Sequence, residues 1–436
     1  VPFGASFAPI SVTTPSGLTA VSQSNFTPVF SASVAIDASS LAGKIDLSLP
    51  SSAPHRVIAG DLDGDGKPDL VVTIYGSTAT GNSISVFRNI SSSGAIGVGS
   101  FAARADLAVS SQPSGVLLAD LDGDGLLDVI VREISGGTGV VSVFRNTSTL
   151  GSISFATRVD FAASVPQAMA VADLDLDGKP DLAVGSGTGA ILLWRNLSTP
   201  GQITAGSFST GASIAAPSSV SGVEAVDLDG DGKPEIITAN SSNSISVFHN
   251  TSSTGSLTSS SFEAQVSFAA ASQSFRIKVV DLDGDGKADV AVADSVAKVL
   301  SVFRNTSTLG SISTSSLANR VDFSAGDYPH GIAIGDFNGD GKPDVAFPNY
   351  TDNTVSIFRN TTSVGGIDSA SFAPRVNYAT GSGVRDPAIV DLDLDGKPDL
   401  VVVNNASGTL SILRNSVPLP PPSISALSAA SGVVGT

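Results

Sequence analysis

Short apolar runs alternate with clusters of Gly, Ser, Asn and Asp along almost the whole chain, and they recur in sets of four. In each set the first run leads into an acidic loop, as from Gly115 to Leu121. The second leaves the loop as an unbroken apolar stretch, as in Asp128 to Arg132 or Leu400 to Val403, which predicts a strand buried on both faces. The third alternates, as from Gly139 to Asn146. The fourth carries a Phe-x-x-Arg-Val-Asp-Phe type of pattern, as in Phe155 to Phe161 and Leu317 to Phe323. Turn residues separate the four at the spacing of a meandering sheet.

The set is one repeated unit. The pattern Asp-x-Asp/Asn-x-Asp-Gly-x-x-Asp/Glu begins at Asp61, Asp120, Asp173, Asp227, Asp281, Asp336 and Asp391, at intervals of 59, 53, 54, 54, 55 and 55 residues. A second landmark follows each copy: Ser85 to Asn89, Ser142 to Asn146, Leu192 to Asn196, Ser246 to Asn250, Ser301 to Asn305, Ser356 to Asn360 and Ser411 to Asn415. Four strands in about 40–55 residues, repeated radially, predict propeller blades. The expected fold class is all-β, a seven-bladed β-propeller of four-stranded antiparallel blades over residues 33–415. No fourth strand follows Asn415, where the chain enters Val417-Pro418-Leu419-Pro420-Pro421-Pro422. Leu41 to Leu47 aligns instead with Leu317 to Phe323, so residues 41–47 are expected to close the last blade.

Composition narrows the function. With 45 Gly, no Cys and only 14% charged residues, the chain suits strands and turns, and thiol chemistry is excluded. A net charge of −17 argues against nucleic acid as a partner. No apolar run approaches the ~20 residues of a membrane span. The acids are concentrated: 27 of the 40 lie in the seven loops, leaving 13 elsewhere beside a total of 23 lysines and arginines.

Those loops are the candidate metal sites. Carboxylates at alternate positions converge when the backbone curls, and the Gly that follows permits the sharp turn. The residue after that Gly contributes its carbonyl. The sets are Asp61, Asp63, Asp65, Lys67 and Asp69; Asp120, Asp122, Asp124, Leu126 and Asp128; Asp173, Asp175, Asp177, Lys179 and Asp181; and Asp227, Asp229, Asp231, Lys233 and Glu235. The remaining three are Asp281, Asp283, Asp285, Lys287 and Asp289; Asp336, Asn338, Asp340, Lys342 and Asp344; and Asp391, Asp393, Asp395, Lys397 and Asp399. This all-oxygen set suits Ca²⁺, about one per blade. An EF-hand would need a glutamate at the twelfth position, where Val72, Val131, Val184, Thr238, Val292, Phe347 and Val402 stand. Two unit charges ~4 Å apart interact by roughly 4 kcal/mol at an intermediate dielectric, so clustered carboxylates without a cation are costly. Seven Ca²⁺ would take the formal charge from −17 to about −3. The alternative is that the aspartates only build Asx turns.

The loops, blade length and Phe-Arg-Asn landmark resemble the FG-GAP/VCBS repeats of integrin-alpha-like propellers over residues ~41–415. The resemblance implies a loop between the two innermost strands of each blade that carries Ca²⁺ in a structural role. It leaves the partner open, since relatives include adhesion receptors, lectins and surface proteins. Phe3 to Gly17 and Ser423 to Thr436 resemble the closing and opening parts of IPT/TIG immunoglobulin-like modules. The expected domains are therefore 1–32 (part of an Ig-like module), 33–415 (the propeller) and 416–436 (a Pro-rich linker and the start of another module). The competing reading makes both ends extended tails packed on the propeller.

Weaker signals remain. Asn-x-Ser/Thr follows most third strands, which reads as a turn-capping Asn more than as a glycan acceptor. Arg88, Arg145, Arg195, Arg304, Arg359 and Arg414, with His249 in their place in the fourth copy, are expected on exposed strand faces or paired with acids. Phe87, Phe144, Trp194, Phe248, Phe303 and Phe358 read as inter-blade core. Only His55, His249 and His330 exist, without triad or zincin spacing, so no catalytic residue is assigned and the chain reads as a non-enzyme. The expectation is a calcium-stabilised extracellular structural or adhesive module. Its partner would be a protein or glycan at a cell surface, or copies of itself head to tail in a filament. A carbohydrate-binding propeller is the alternative, with Tyr75, Tyr328, Tyr350, Tyr378 and Trp194 as the available aromatics.

Overall fold

The computed structural model describes residues 9–13, 19–25, 34–50, 53–76, 82–110, 112–135, 138–209, 211–272 and 274–418. Among these, seven four-stranded antiparallel sheets form the blades of a propeller. The only helix among the described residues is a 3-10 turn at Val98–Ser100, and no helix is long and apolar enough to cross a membrane. In blade 1 the strands are Pro54–Gly60, Asp69–Ile74, Ser83–Phe87 and Ala105–Ala108, joined in chain order. Blades 2 to 6 repeat this order, beginning at Gln112, Pro166, Val220, Ser274 and Ala333.

Burial explains each run. All six residues of the second strand Asp69–Ile74 are buried, because each side of the sheet packs on a neighbouring blade. Leu70 and Val72 join a cluster with Val401, Val403 and Ile412 of blade 7. Val71, one residue out of phase, joins Val116, Val129 and Val131 of blade 2. The period of two thus feeds two different cores. Seven such clusters fill the seven gaps between blades, with the landmark aromatics Phe87, Phe144, Trp194, Phe248, Phe303 and Phe358 buried in them. Fourth strands such as Val321–Ser324 alternate in burial, as expected of a sheet edge with one face in water. The fourth strand of blade 2 is Val159–Ala163, and Phe155 only bridges to Asn146, so this part of the pattern starts later than the motif suggests.

The ring closes across the chain ends. Blade 7 takes Val384–Val390, Asp399–Asn404 and Thr409–Leu413 from one end and Ile45–Ser48 from the other. Ile45 faces Ile412 and Leu47 faces Leu410, while Leu41 makes a separate bridge to Asn415. At the terminal segments, Pro9–Thr13 and Thr19–Asn25 pair as an antiparallel two-stranded sheet. The rest of 1–32 and nearly all of 416–436, on which the IPT/TIG reading falls, lie outside the described residues.

Candidate metal centres

Each acidic loop connects the first and second strands of its blade, at one end of the strand lining the central channel. In blade 1, Asp61 accepts hydrogen bonds from the backbone N–H groups of Gly64 and Gly66, both at 2.8 Å. Asp65 accepts from Lys67 N–H at 2.9 Å. Gly66 has φ +83°, which reverses the chain so that the loop curls over its own carboxylates. Asp69 is fully buried and accepts from Leu62 and Asn89 N–H at 2.9 and 2.8 Å. The Lys67 ammonium turns away onto the Ser91 carbonyl at 2.6 Å, leaving the lysine only its backbone oxygen to offer the loop. Oxygens of Asp61, Asp63 and Asp69 lie within 4.8 Å of one another, as do those of Asp120, Asp122 and Asp128, and of Asp173, Asp175 and Asp181.

The landmark arginines sit against these loops. Arg145 donates from Nε to Asp122 at 2.6 Å and from Nη2 to Asp124 at 2.7 Å. Arg195, Arg304 and Arg414 repeat the fork on their own second and third acids, and Arg88 bridges Asp63 and Asp65. The fork engages one oxygen of each carboxylate. The other oxygen of Asp122, Asp175 and Asp393 is buried and makes no hydrogen bond. A sealed carboxylate oxygen without a donor is costly to leave so. The donor chemistry fits a hard divalent cation at that point. In the sixth loop Asn338 donates to the Val34 carbonyl at 2.8 Å and to Asp340 at 3.1 Å, while its oxygen accepts from Asp340 N–H at 3.2 Å.

The last acid of each loop has a raised pKa. Asp128, Asp181, Asp289 and Asp399 are pushed up to about 7, mainly by burial and further by neighbouring carboxylates, while backbone N–H donors pull the other way. Glu235 likewise rises to about 7 and Asp69 to about 6. Asp344 rises well above the carboxylate range, again mainly through burial. Burial and crowding thus favour a proton, or a cation in its place, over the bare carboxylate.

The landmark asparagines are a feature that sequence reading caught only in part. Asn196 caps its turn by accepting from Ser198 N–H, as a turn-capping residue should. Its amide nitrogen also donates to Pro180 of its own loop at 3.0 Å and to the Leu121 carbonyl of the preceding blade at 2.8 Å. The cross-blade bond recurs seven times: Asn146 to Leu62, Asn250 to Leu174, Asn305 to Leu228, Asn360 to Leu282, Asn415 to Phe337 and, across the closure, Asn89 to Leu392. All seven are buried, with both amide hydrogens engaged, which leaves no room for a glycan.

The channel encloses about 820 Å³ between the first strands. Beside it, His330 meets Tyr328 and Tyr350 edge-on at 4.8 and 5.4 Å, and the Arg385 guanidinium lies 5.2 Å from the Tyr350 ring. Burial, then Arg385 and Arg56, lower the His330 pKa to about 4. His55 stacks on Tyr75 at 5.6 Å. Of the aromatics considered for sugar binding, Trp194 and Tyr378 are buried, the latter donating its hydroxyl to the Asp37 carbonyl.

Crystal structures of BBS1N in complex with ARL6DN share this fold: two of them align with TM-scores of 0.54 and 0.55 at 13% and 12% identity. They cover 87% and 89% of this chain and 98% of theirs. No curated protein sequence matches. The FG-GAP-like repeat matches residues 61–131, 173–238, 227–292, 281–347 and 336–402, more than half of the sequence, and each match begins on the first acid of a loop. The chain belongs to the FG-GAP-like repeat family.

Proposed function

We propose that the acidic loops bind Ca²⁺ and that the filled propeller is a rigid structural or adhesive module working outside cells. The observation that carries this reading is the buried, undonated oxygen of Asp122, Asp175 and Asp393, set among carboxylates that an arginine has already oriented. Extracellular modules bind calcium with Kd of about 10⁻⁴–10⁻³ M, so such loops fill where calcium is abundant. Protein is the preferred partner class, supported by the crystals of the similar propeller BBS1N in complex with ARL6DN. The propeller acts by binding rather than by catalysis.

Melting in millimolar calcium and in chelator tests the reading. At ten times Kd each site adds about 1.4 kcal/mol, so seven sites shift the Tm of a propeller this size by about 10 °C. An identical Tm in chelator overturns it. The exposed Tyr328 beside His330 and Tyr350 favours a glycan as the second reading, and selective binding on a glycan array would promote it.

A further inference from the structure

The fourth loop departs from the repeat twice, and both departures meet in space. Glu235 stands where the other six loops have aspartate, and His249 stands where the other landmarks have arginine. Nε2 of His249 lies 3.2 Å from the Asp229 carboxylate, whose side chain is fully buried. Neither that nitrogen nor the facing oxygen Oδ2 makes a hydrogen bond. Nδ1 of the same ring lies 3.4 Å from Glu263. Ligand atoms of Asp229, Glu235 and His249 all fall within 4.8 Å of one another.

We propose that this loop is a site for a transition ion of the zinc class, held by Nε2 of His249 and the carboxylates of Asp229 and Glu235. An imidazole with two carboxylates is a nitrogen–oxygen set that suits zinc and leaves a fourth position for solvent, whereas calcium takes oxygen alone. Glu263 supplies the outer carboxylate that commonly fixes the tautomer of a metal-binding histidine. Glu235 is one carbon longer than its aspartate counterparts, and its carboxylate still lies within reach of both His249 and Asp229. In five of the sister loops the arginine fork fills this position with a fixed cation, so the exchange of Arg for His opens it to a metal. The proposal shares its carboxylates with the calcium reading of this loop, yet it stands or falls on the imidazole.

The test is titration of the full chain with Co²⁺ in millimolar Ca²⁺. The expected result is one equivalent with visible d–d absorption, competed by Zn²⁺, and paramagnetic broadening of one of the three histidine signals. H249R, which copies the sister blades, should weaken Co²⁺ binding at least tenfold while keeping the wild-type circular dichroism. Equal Co²⁺ binding by wild type and H249R, or no histidine signal affected, overturns the proposal. H249Q provides the same comparison without a new charge. The chelator-dependent Tm of H249R reports on the calcium loops separately, so either reading can fail alone.

Discussion

Asn196 shows how much one side chain does in this ring. Its oxygen caps a turn, and its two amide hydrogens close the loop of its own blade and clasp the one before. Replacing it with alanine leaves the Pro180 carbonyl and the Ser198 N–H without this partner, while the Leu121 carbonyl keeps the Ser198 hydroxyl, so Asn196→Ala should cost about 1–3 kcal/mol, read as a lower Tm. Leu176 and Leu394 occupy the fourth loop position, where five copies have glycine, at φ +57° and +53°. A left-handed conformation costs an ordinary residue about 1–2 kcal/mol. Leu176→Gly should therefore raise stability by up to about 1 kcal/mol, measured by thermal melting, after the entropy of the added glycine is offset. The buried loop acids predict a pH dependence with a definite sign. Asp128, Asp181, Asp289 and Asp399 titrate near 7 in the fold and near 3.9 when unfolded, so the native state binds more protons between those values. In chelator, Tm should fall as pH rises from 5 to 8; with calcium present the ion takes the place of the proton and the fall should disappear. A chelated protein that gains stability over that range would contradict the assignment.

At the scale of elements, the acidic loop was legible from sequence because its whole logic is local: nine consecutive residues hold the carboxylates and the glycine. The second strand of each blade was legible for a similar reason, since burial on both faces leaves an unbroken apolar run such as Leu70 to Val72. The arginine forks were only half visible. Arg145 is 23 residues from Asp122, and strand pairing alone brings them together. The cross-blade bond of Asn196 joins residues 75 apart, and nothing local encodes it. The even spacing of acid and asparagine in every repeat was the available signal. The cluster of His330, Tyr350 and Arg385 draws on separate blades and carried no signal. The strand Ile45–Ser48 has a testable weight of its own. Leu47 and Leu41 are buried at 7% and 6% exposure, Ile36 packs with blades 6 and 7, and Asp46 accepts from Ser411 at 2.5 Å. Removing residues 1–48 should cost on the order of 5 kcal/mol and lower Tm, whereas removing 1–33 leaves these contacts in place and should cost less.

For the molecule as a whole, ring closure replaces edges with cores, and the cross-blade clasp gives the ring a direction. Asn146, Asn196, Asn250, Asn305, Asn360 and Asn415 each reach back to a blade that precedes them in the chain. Asn89 alone reaches forward, 303 residues, to Leu392. During synthesis on the ribosome every new blade from the second to the seventh finds its acceptor already made. The first finds none, and one of its amide hydrogens stays in water until the final blade emerges, as do the apolar residues of Ile45–Ser48. A nascent chain stopped before blade 7 is thus an open arc with two bare ends, the form most exposed to chaperones and to mispairing with a neighbour.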